Sequence, residues 1–487
     1  MNPIRASLIM SFLAVVGVAQ AQTATAPAPA TPVVVTKSDA STSLTWNGIT
    51  LYGIVDIGLQ YQTHGAPISD YFPGGTNSVI SKNSDGSVTG VVGNNYGQSR
   101  IGLSGLEPIP NMDVSFVFRL ETFFNPWTGN LSDGIKSLVV NNGKALNQQV
   151  TGNDSSIAGQ LFAGAAYAGL SSPTFGSLTF GRHVTPLADG ISKYDPMAAG
   201  QAFSLLGFSG TTAGGGDTED RRLDDSVKYT LKAGPLHVGA LYQFSGASGG
   251  ANTAFQGQLG FDFLGGGSVD AYYSKKRDAI GASPLSQAQV AGLAAKCNPP
   301  PTIPPTVPAP APQCYSVSNS VAGTISDNET WGIMALYKFG RPTVYAGYED
   351  IKFKNPETPL PDGFTTIGGY QLAYLNQKAY TNNKTLKVLW AGGKYTLDQL
   401  EFTLAYYGYQ QDSFAAVSCS TAALSSCKGE VNVISGLADY KFTKRFDAYV
   451  GTMWSEAKDG LANGYLRLGP SGTASTVTST VGFRFRF

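Results

Sequence analysis

Apolar and polar residues alternate with period two along most of the chain, and the alternating runs end in clusters of turn-forming residues. The first run puts Ile49, Leu51, Val55, Ile57, Leu59 and Tyr61 on one face. Thr50, Tyr52, Asp56, Gln60 and Gln62 share the other, with Ile54 the apolar exception. The last run sets Val477, Val481, Phe483, Phe485 and Phe487 against Thr478, Thr480, Gly482, Arg484 and Arg486. Between them the pattern predicts about 14 more strands. They lie near 99–107, 112–124, 160–170, 174–182, 222–232, 235–245, 254–263, 267–276, 330–339, 342–350, 384–396, 400–410, 431–442 and 445–455. The segment at 431–442 alternates poorly, and 160–170 is rich in Ala and Gly. The total of about 16 is even, as single-chain bacterial barrels require.

The predicted connections alternate in length. Short ones such as Glu107–Pro110, Ser171–Pro173, Gly340–Pro342 and Asp398–Gln399 take turns with long ones near 63–98, 125–159, 183–221, 246–253, 277–329, 351–383, 411–430 and 456–474. A soluble sandwich has no reason to place a long loop at every second connection. A membrane barrel does, with short periplasmic turns and long external loops. Its apolar face meets lipid, its polar face lines the lumen, and closure is forced because an open edge in lipid leaves backbone groups unpaired. Phe175, Phe339, Tyr395, Phe402, Tyr440, Phe442 and Phe446 fall next to short turns and suit an interfacial aromatic girdle. The fold expected is all-β: a 16-stranded antiparallel transmembrane barrel.

Composition agrees. Charged residues are 14% of the chain, with 33 basic against 33 acidic, so no basic excess argues for nucleic acid. Gly is abundant at 59, aromatics reach 11%, and mean hydropathy is −0.05, which does not suit a helical membrane protein. Residues 1–21 read as a secretory signal: Arg5, an apolar run from Leu8 to Val18, and Ala19-Gln20-Ala21 as the cleavage site. Residues 22–47 read as a disordered Pro/Ala/Thr-rich lead-in, and 48–487 as the barrel. The localisation expected is the outer membrane, with membrane lipid, lipopolysaccharide and small polar solutes as partners.

Four cysteines form two close pairs, Cys297–Cys314 and Cys419–Cys427, each within a predicted external loop. In an exported chain they read as two loop-closing disulfides, with free thiols as the alternative. No metal spacing occurs and no cofactor is expected. The three histidines, His64, His183 and His237, give no convincing catalytic set, so no enzyme is expected.

Parity places several charges inside. Arg100 shares a face with Gly102 and Ser104, and Arg119 with Ser115 and Glu121. With a turn centred near residue 109, Arg100 and Arg119 are expected at the same height, a positive wall in a narrow lumen. Arg222 shares a polar face with Asp224, Ser226 and Lys228, and Arg182 ends the strand before the loop at 183–221. That loop carries Asp189, Lys193 and Asp195.

These residues resemble a known family. Thr50-Leu-Tyr-Gly-Ile-Val-Asp56, Ser99-Arg-Ile-Gly-Leu-Ser-Gly105, Phe118-Arg-Leu-Glu121, Leu178-Thr-Phe-Gly-Arg182, Asp225-Ser-Val-Lys-Tyr229 and the terminal Phe487 are similar to Gram-negative porins of the β-proteobacterial general type. The resemblance spans about 48–487 and implies a homotrimer with the third loop folded into the lumen. It makes Phe487 an insertion signal for the barrel-assembly machinery. It matches Arg100 and Arg222 to wall arginines and Asp195 to a loop acid, while a third arginine position is Gly164 here and the loop tip carries Ala199-Gly200 instead of a further acid. The function implied is passive diffusion of small hydrophilic solutes. A substrate-specific channel and an adhesin barrel with a closed lumen are the competing expectations.

Overall fold

The structure, a computed structural model, describes residues 44–64, 86–127, 129, 131, 161–206, 222–244, 253–263, 265–284, 292, 321–359, 365–367, 370–415, 426–462, 468–469 and 472–487. The predicted signal segment, the region 22–43 and the Pro-rich run 299–312 lie outside them, as do Cys297, Cys314 and Cys419.

Sixteen antiparallel strands form a closed barrel. In chain order they are β1 Ile49–Gln62, β2 Arg100–Pro108, β3 Ser115–Phe123, β4 Ala165–Ser172, β5 Gly176–Val184, β6 Arg222–Ala233, β7 Leu236–Gln243 and β8 Ala254–Phe263. There follow β9 Gly267–Pro284, β10 Val321–Lys338, β11 Pro342–Lys354, β12 Lys384–Leu397, β13 Leu400–Gln411, β14 Gly429–Lys441, β15 Phe446–Asp459 and β16 Thr473–Arg486. Each strand pairs with its sequence neighbours, and β16 closes on β1 from Ile54↔Arg486 to Gln62↔Thr478. Phe487 extends the seam: its amide donates to the Gly53 carbonyl at 3.1 Å and its carbonyl accepts from the Gly53 amide at 3.0 Å.

All the predicted strands are present, including the two with imperfect patterns. Outward residues meet solvent or lipid: Leu59 is 54% exposed, while Gln60 on the lumen side is 1% exposed. Four short strands add to the expected set. Thr45–Trp46 pairs with the start of β1 through a two-residue turn at Asn47-Gly48, both with positive φ as such hairpins require. The paired chain therefore begins slightly before residue 48, the start expected. Val88–Gly93 pairs with β1, and Thr365–Ile367 and Tyr370–Asn376 pair with each other, inside connections expected to be loops.

The barrel rim is uneven. β9 and β10 each run 18 residues. A tilted strand needs only about 9–11 to cross a bilayer, so this hairpin projects well beyond it. By contrast β2, β3, β4 and β5 have 9, 9, 8 and 9 residues. The low wall is where the third long connection, after β5, turns inward.

Candidate functional site: an off-centre lumen

The inward turn is a helix, α1, Pro186–Tyr194. Thr185 caps it, its side chain accepting from the Ala188 amide at 3.2 Å, and Pro186 sits in the first turn where its missing N–H costs nothing. Leu187, Ile191 and Tyr194 are buried together with Met197, Phe203 and Leu205 of the segment that follows. They pack on lumen-facing apolar side chains of the tall wall: Val388 and Trp390 of β12, Tyr407 of β13, Val433 and Leu437 of β14, Met453 of β15. This explains the poor alternation of β14. Ile434 faces outward at 48% exposure, while Val431 and Val433 face the packed loop at 2% and 0%. Both faces are apolar because both are covered, one by lipid and one by protein.

Polar ties fix the register of the loop against this wall. The Trp390 indole donates to the Tyr194 carbonyl at 3.1 Å, and the Tyr194 and Ser268 hydroxyls lie 2.7 Å apart. Burial pushes the Tyr194 phenol well above its ordinary range, so it stays neutral. Asp195 is 1% exposed. Its carboxylate accepts from the Tyr407 hydroxyl at 2.6 Å and from the amides of Met197 at 3.1 Å and Ala199 at 2.8 Å. Space for the helix is made by Gly190: a Cβ there would come within 2.3 Å of the Tyr272 hydroxyl.

A second segment turns inward with it. Residues 94–99 leave the wall between Gly93↔Ile57 and Arg100↔Ile54, both pairs on β1, and bend inward so that the Tyr96 ring lies 6.2 Å from that of Phe203. Asp56, fully buried, accepts from the amides of Gly97 at 2.7 Å and Tyr96 at 3.0 Å and from the Tyr449 hydroxyl at 2.5 Å. The Arg484 guanidinium lies 4.0 Å over the Tyr96 ring and pairs with Asp447 at 3.1 Å. Arg484, on the polar face of the last strand, is 8% exposed and clamps this segment.

What remains open lies along the low wall, β1 to β6. Its register makes horizontal rows: Thr50, Ser104, Arg119 and Tyr167 form one, and Tyr52, Gly102, Glu121 and Ala165 the next. Arg100 pairs with Phe123, and Arg119 with Ser104. The two arginines are therefore four residues out of step, which corrects the expectation of equal height. The β2–β3 turn is centred about two residues later than expected, and each residue of turn shift moves the partner by two. Glu121 falls midway. Its Oε2 lies 2.6 Å from Arg119 Nη2 and 3.6 Å from Arg100 Nε, with only 3% of its side chain exposed against 38% and 32% for the arginines. Like charges that would repel across a strand pair are thus bridged by one carboxylate. Arg119 also donates through Nε to the Tyr52 hydroxyl at 2.6 Å. Gly164, the position without the third arginine, is where Glu121 needs room: a Cβ there would stand 2.5 Å from Oε1.

The other charges singled out from sequence are placed as follows. Arg222 lies 4.6 Å over the Phe123 ring and donates to the Gly164 carbonyl at 2.9 Å. A bulge at Asp225, which has positive φ, breaks the parity of β6, so Leu223 is buried among Leu241 and Ala254. Arg182 does not face the lumen acids. It pairs with Ala166, sharing a face with Leu178 and Phe180, and its guanidinium is held by Asp224 and the Ala163 carbonyl. Asp189 and Lys193, on α1, are partly exposed; Asp189 pairs with Lys228 at 2.6 Å and Lys193 with Asp270 at 3.5 Å. Asp195 is on the inward loop, but it faces the tall wall rather than the arginines. Cys427 is buried and disulfide-bonded.

A closed antiparallel barrel with an inward third loop and a charged, off-centre lumen is the architecture of a pore. The model of the Gram-negative porin family matches residues 6–299 and 309–460. The chain belongs to the Gram-negative porin family. None of the curated proteins matches it in sequence. Among solved structures, the anion-selective porin from Comamonas acidovorans is similar at 16% identity and a TM-score of 0.56, covering 90% of this chain and 99% of that one. The outer membrane protein OmpT of Vibrio cholerae matches at 14% identity and a TM-score of 0.51, covering 92% and 100%. A trimer form of OmpT matches at 13% and 0.51, covering 90% and 99%. At these identities the likeness shows the fold. Family and fold together make this porin an outer-membrane channel for solutes, crossing the membrane by its strands, and they point to a channel rather than an enzyme.

Proposed function

We propose that this porin is a passive pore for small hydrophilic solutes, works as a homotrimer, and favours anions. The observation that carries this reading is the asymmetry of the lumen. One half is filled by α1 and its apolar packing, and the other is a polar passage in which two partly exposed arginines share one buried carboxylate. A solute passing the low wall meets guanidinium groups before it meets Glu121. Low-dielectric walls focus that field. The sign of selectivity agrees with the named property of the Comamonas acidovorans porin, and the trimer with the trimer form of OmpT. Lipopolysaccharide outside, and the barrel-assembly machinery acting on Phe487 during insertion, complete the proposed set of partners. Catalysis has no part in it.

The test is planar-bilayer recording across a salt gradient. An open, ohmic channel in steps of three, with a reversal potential on the anion side, is the expected result. A barrel that inserts but does not conduct would favour the adhesin reading, and the trimer fails if crosslinking yields monomers alone.

A further inference from the structure

Between the low wall and α1 lies a cavity of about 660 Å³, within the range of small-molecule sites. Its lining is not that of a plain water-filled pore. Leu106 belongs to its wall and is 54% exposed, an apolar side chain facing the lumen. Val117 pairs with it across β2 and β3, and the Tyr167 ring stands in the row above, stacked on His183 at 4.8 Å between centroids. Leu106, Val117 and Tyr167 make an apolar patch within an otherwise polar passage. Such a patch costs hydration free energy while uncovered, and it marks a contact surface.

The polar groups around it are set at two ends. Arg119 borders the patch above. Its Nε and Nη2 are engaged by Tyr52 and Glu121, which hold the guanidinium plane, while Nη1 makes no hydrogen bond among the described residues. On the α1 side, Asp189 Oδ1 has no donor among the described residues while Oδ2 takes the Lys228 ammonium, and its side chain is 55% exposed. A row below the patch carries Ser171, Ser177 and Thr230. The arrangement therefore offers a fixed cation, a flat apolar surface and hydroxyl-accepting groups.

We infer that this cavity is a binding subsite for small aromatic carboxylates that carry a hydroxyl group. The carboxylate meets Arg119 Nη1, the ring lies on Leu106, Val117 and Tyr167, and the hydroxyl donates toward Asp189. This deepens the pore reading by naming a solute class that is retained on its way through. It rests on that reading, and the site lies on Arg119 rather than on the wall arginines implied by family resemblance, Arg100 and Arg222.

The experiment is current block in planar bilayers, using 4-hydroxybenzoate, acetate and phenol as probes on the purified full-length porin. 4-Hydroxybenzoate should block the current with a Kd of about 1 mM, a modest −4 kcal/mol suited to a site that must also release its solute. Acetate has the charge without the ring, and phenol the ring without the charge. Each should need at least roughly tenfold more, the step that 1.4 kcal/mol makes. Arg119→Gln should abolish the block, and Tyr167→Ala or Leu106→Asn should weaken it roughly fivefold or more while the charge stays in place. If Arg119→Gln does not assemble, the latter two variants decide. Acetate blocking as well as 4-hydroxybenzoate, or block unchanged in Tyr167→Ala and Leu106→Asn, overturns the inference and leaves the channel standing. A wild-type protein that does not conduct overturns both.

Discussion

The Tyr407 hydroxyl donates to the Asp195 carboxylate at 2.6 Å, joining residues 212 positions apart in sequence. This contact ties the end of α1 to the inner face of β13, and with it the position of the loop that narrows the pore. Tyr407→Phe keeps the ring and removes the donor. The carboxylate stays buried with two amides as partners, at a cost of about 1–3 kcal/mol. We expect a lower thermal midpoint by circular dichroism and noisier, larger single-channel currents. Quiet wild-type currents from Tyr407→Phe would mean that the apolar packing of Leu187, Ile191 and Phe203 holds the loop unaided.

In the proposed pore, the carboxylate shared by Arg100 and Arg119 governs how much of their charge a solute meets. Glu121→Gln leaves Arg100 and Arg119 without their shared counter-ion. One charge at ~15 Å and an effective dielectric near 20 is worth about 1 kcal/mol to each ion, with opposite sign for anion and cation, so the anion-to-cation permeability ratio should rise roughly thirtyfold. The double variant Arg100→Ala with Arg119→Ala should move the reversal potential the other way, toward cations. Movement of both in the same direction would break the electrostatic account.

The barrel was legible in the sequence because period-two alternation and alternating connection lengths are local signals. Strand ends were less so: β9 and β10 run on past the membrane, where the alternation of Ser268, Asp270 and Tyr272 fades into residues that face no lipid. The site was harder for a different reason. Parity tells which face a side chain is on, but not its height, and a shift of about two residues in one turn moved Arg100 four places from Arg119. The bulge at Asp225 reversed parity on β6 with no warning beyond an Asp-Asp pair. The inward wall of Trp390, Tyr407 and Val433 did leave a trace: a strand with apolar residues on both faces inside a membrane barrel must have protein on its inner side. The clamp of Arg484 on residues 94–99 joins distant segments through tertiary contacts alone and left none.

The cysteines make a prediction that chemistry can settle directly. Cys427 is bonded just before β14, and the spacing favours Cys419 as its partner, with Cys297 and Cys314 forming the other pair. Non-reducing peptide mapping should recover those two linkages and no others. A loop of about 15 residues closed by a disulfide contributes roughly 3 kcal/mol in the chain-entropy model. Reduction should therefore increase proteolysis of the external loops while the heat-modifiable mobility of the barrel is retained. A crossed linkage, such as Cys314 with Cys427, would place loops 277–329 and 411–430 against each other and refute the pairing.

Phe487 closes the barrel twice over, and the two contributions can be separated. Its backbone exchanges two hydrogen bonds with Gly53, and its ring occupies the space a Cβ on Gly53 would need, with Cζ 2.4 Å from that position. Phe487→Ala retains the backbone bonds and removes the ring; deletion of the residue removes both. If the residue serves only the seam, both variants should assemble at wild-type rates into detergent-stable barrels of lower thermal stability, deletion being the worse. If the terminal aromatic is read by the assembly machinery, Phe487→Ala should already cut the yield of outer-membrane barrel in cells several-fold. The same variant refolded into lipid vesicles from denaturant, where no machinery is present, should insert at close to the wild-type rate. The contrast between cell and vesicle is the measurement. Wild-type yield in cells and in vesicles, with only a lower thermal stability, would assign Phe487 to the closure of β16 on β1 alone.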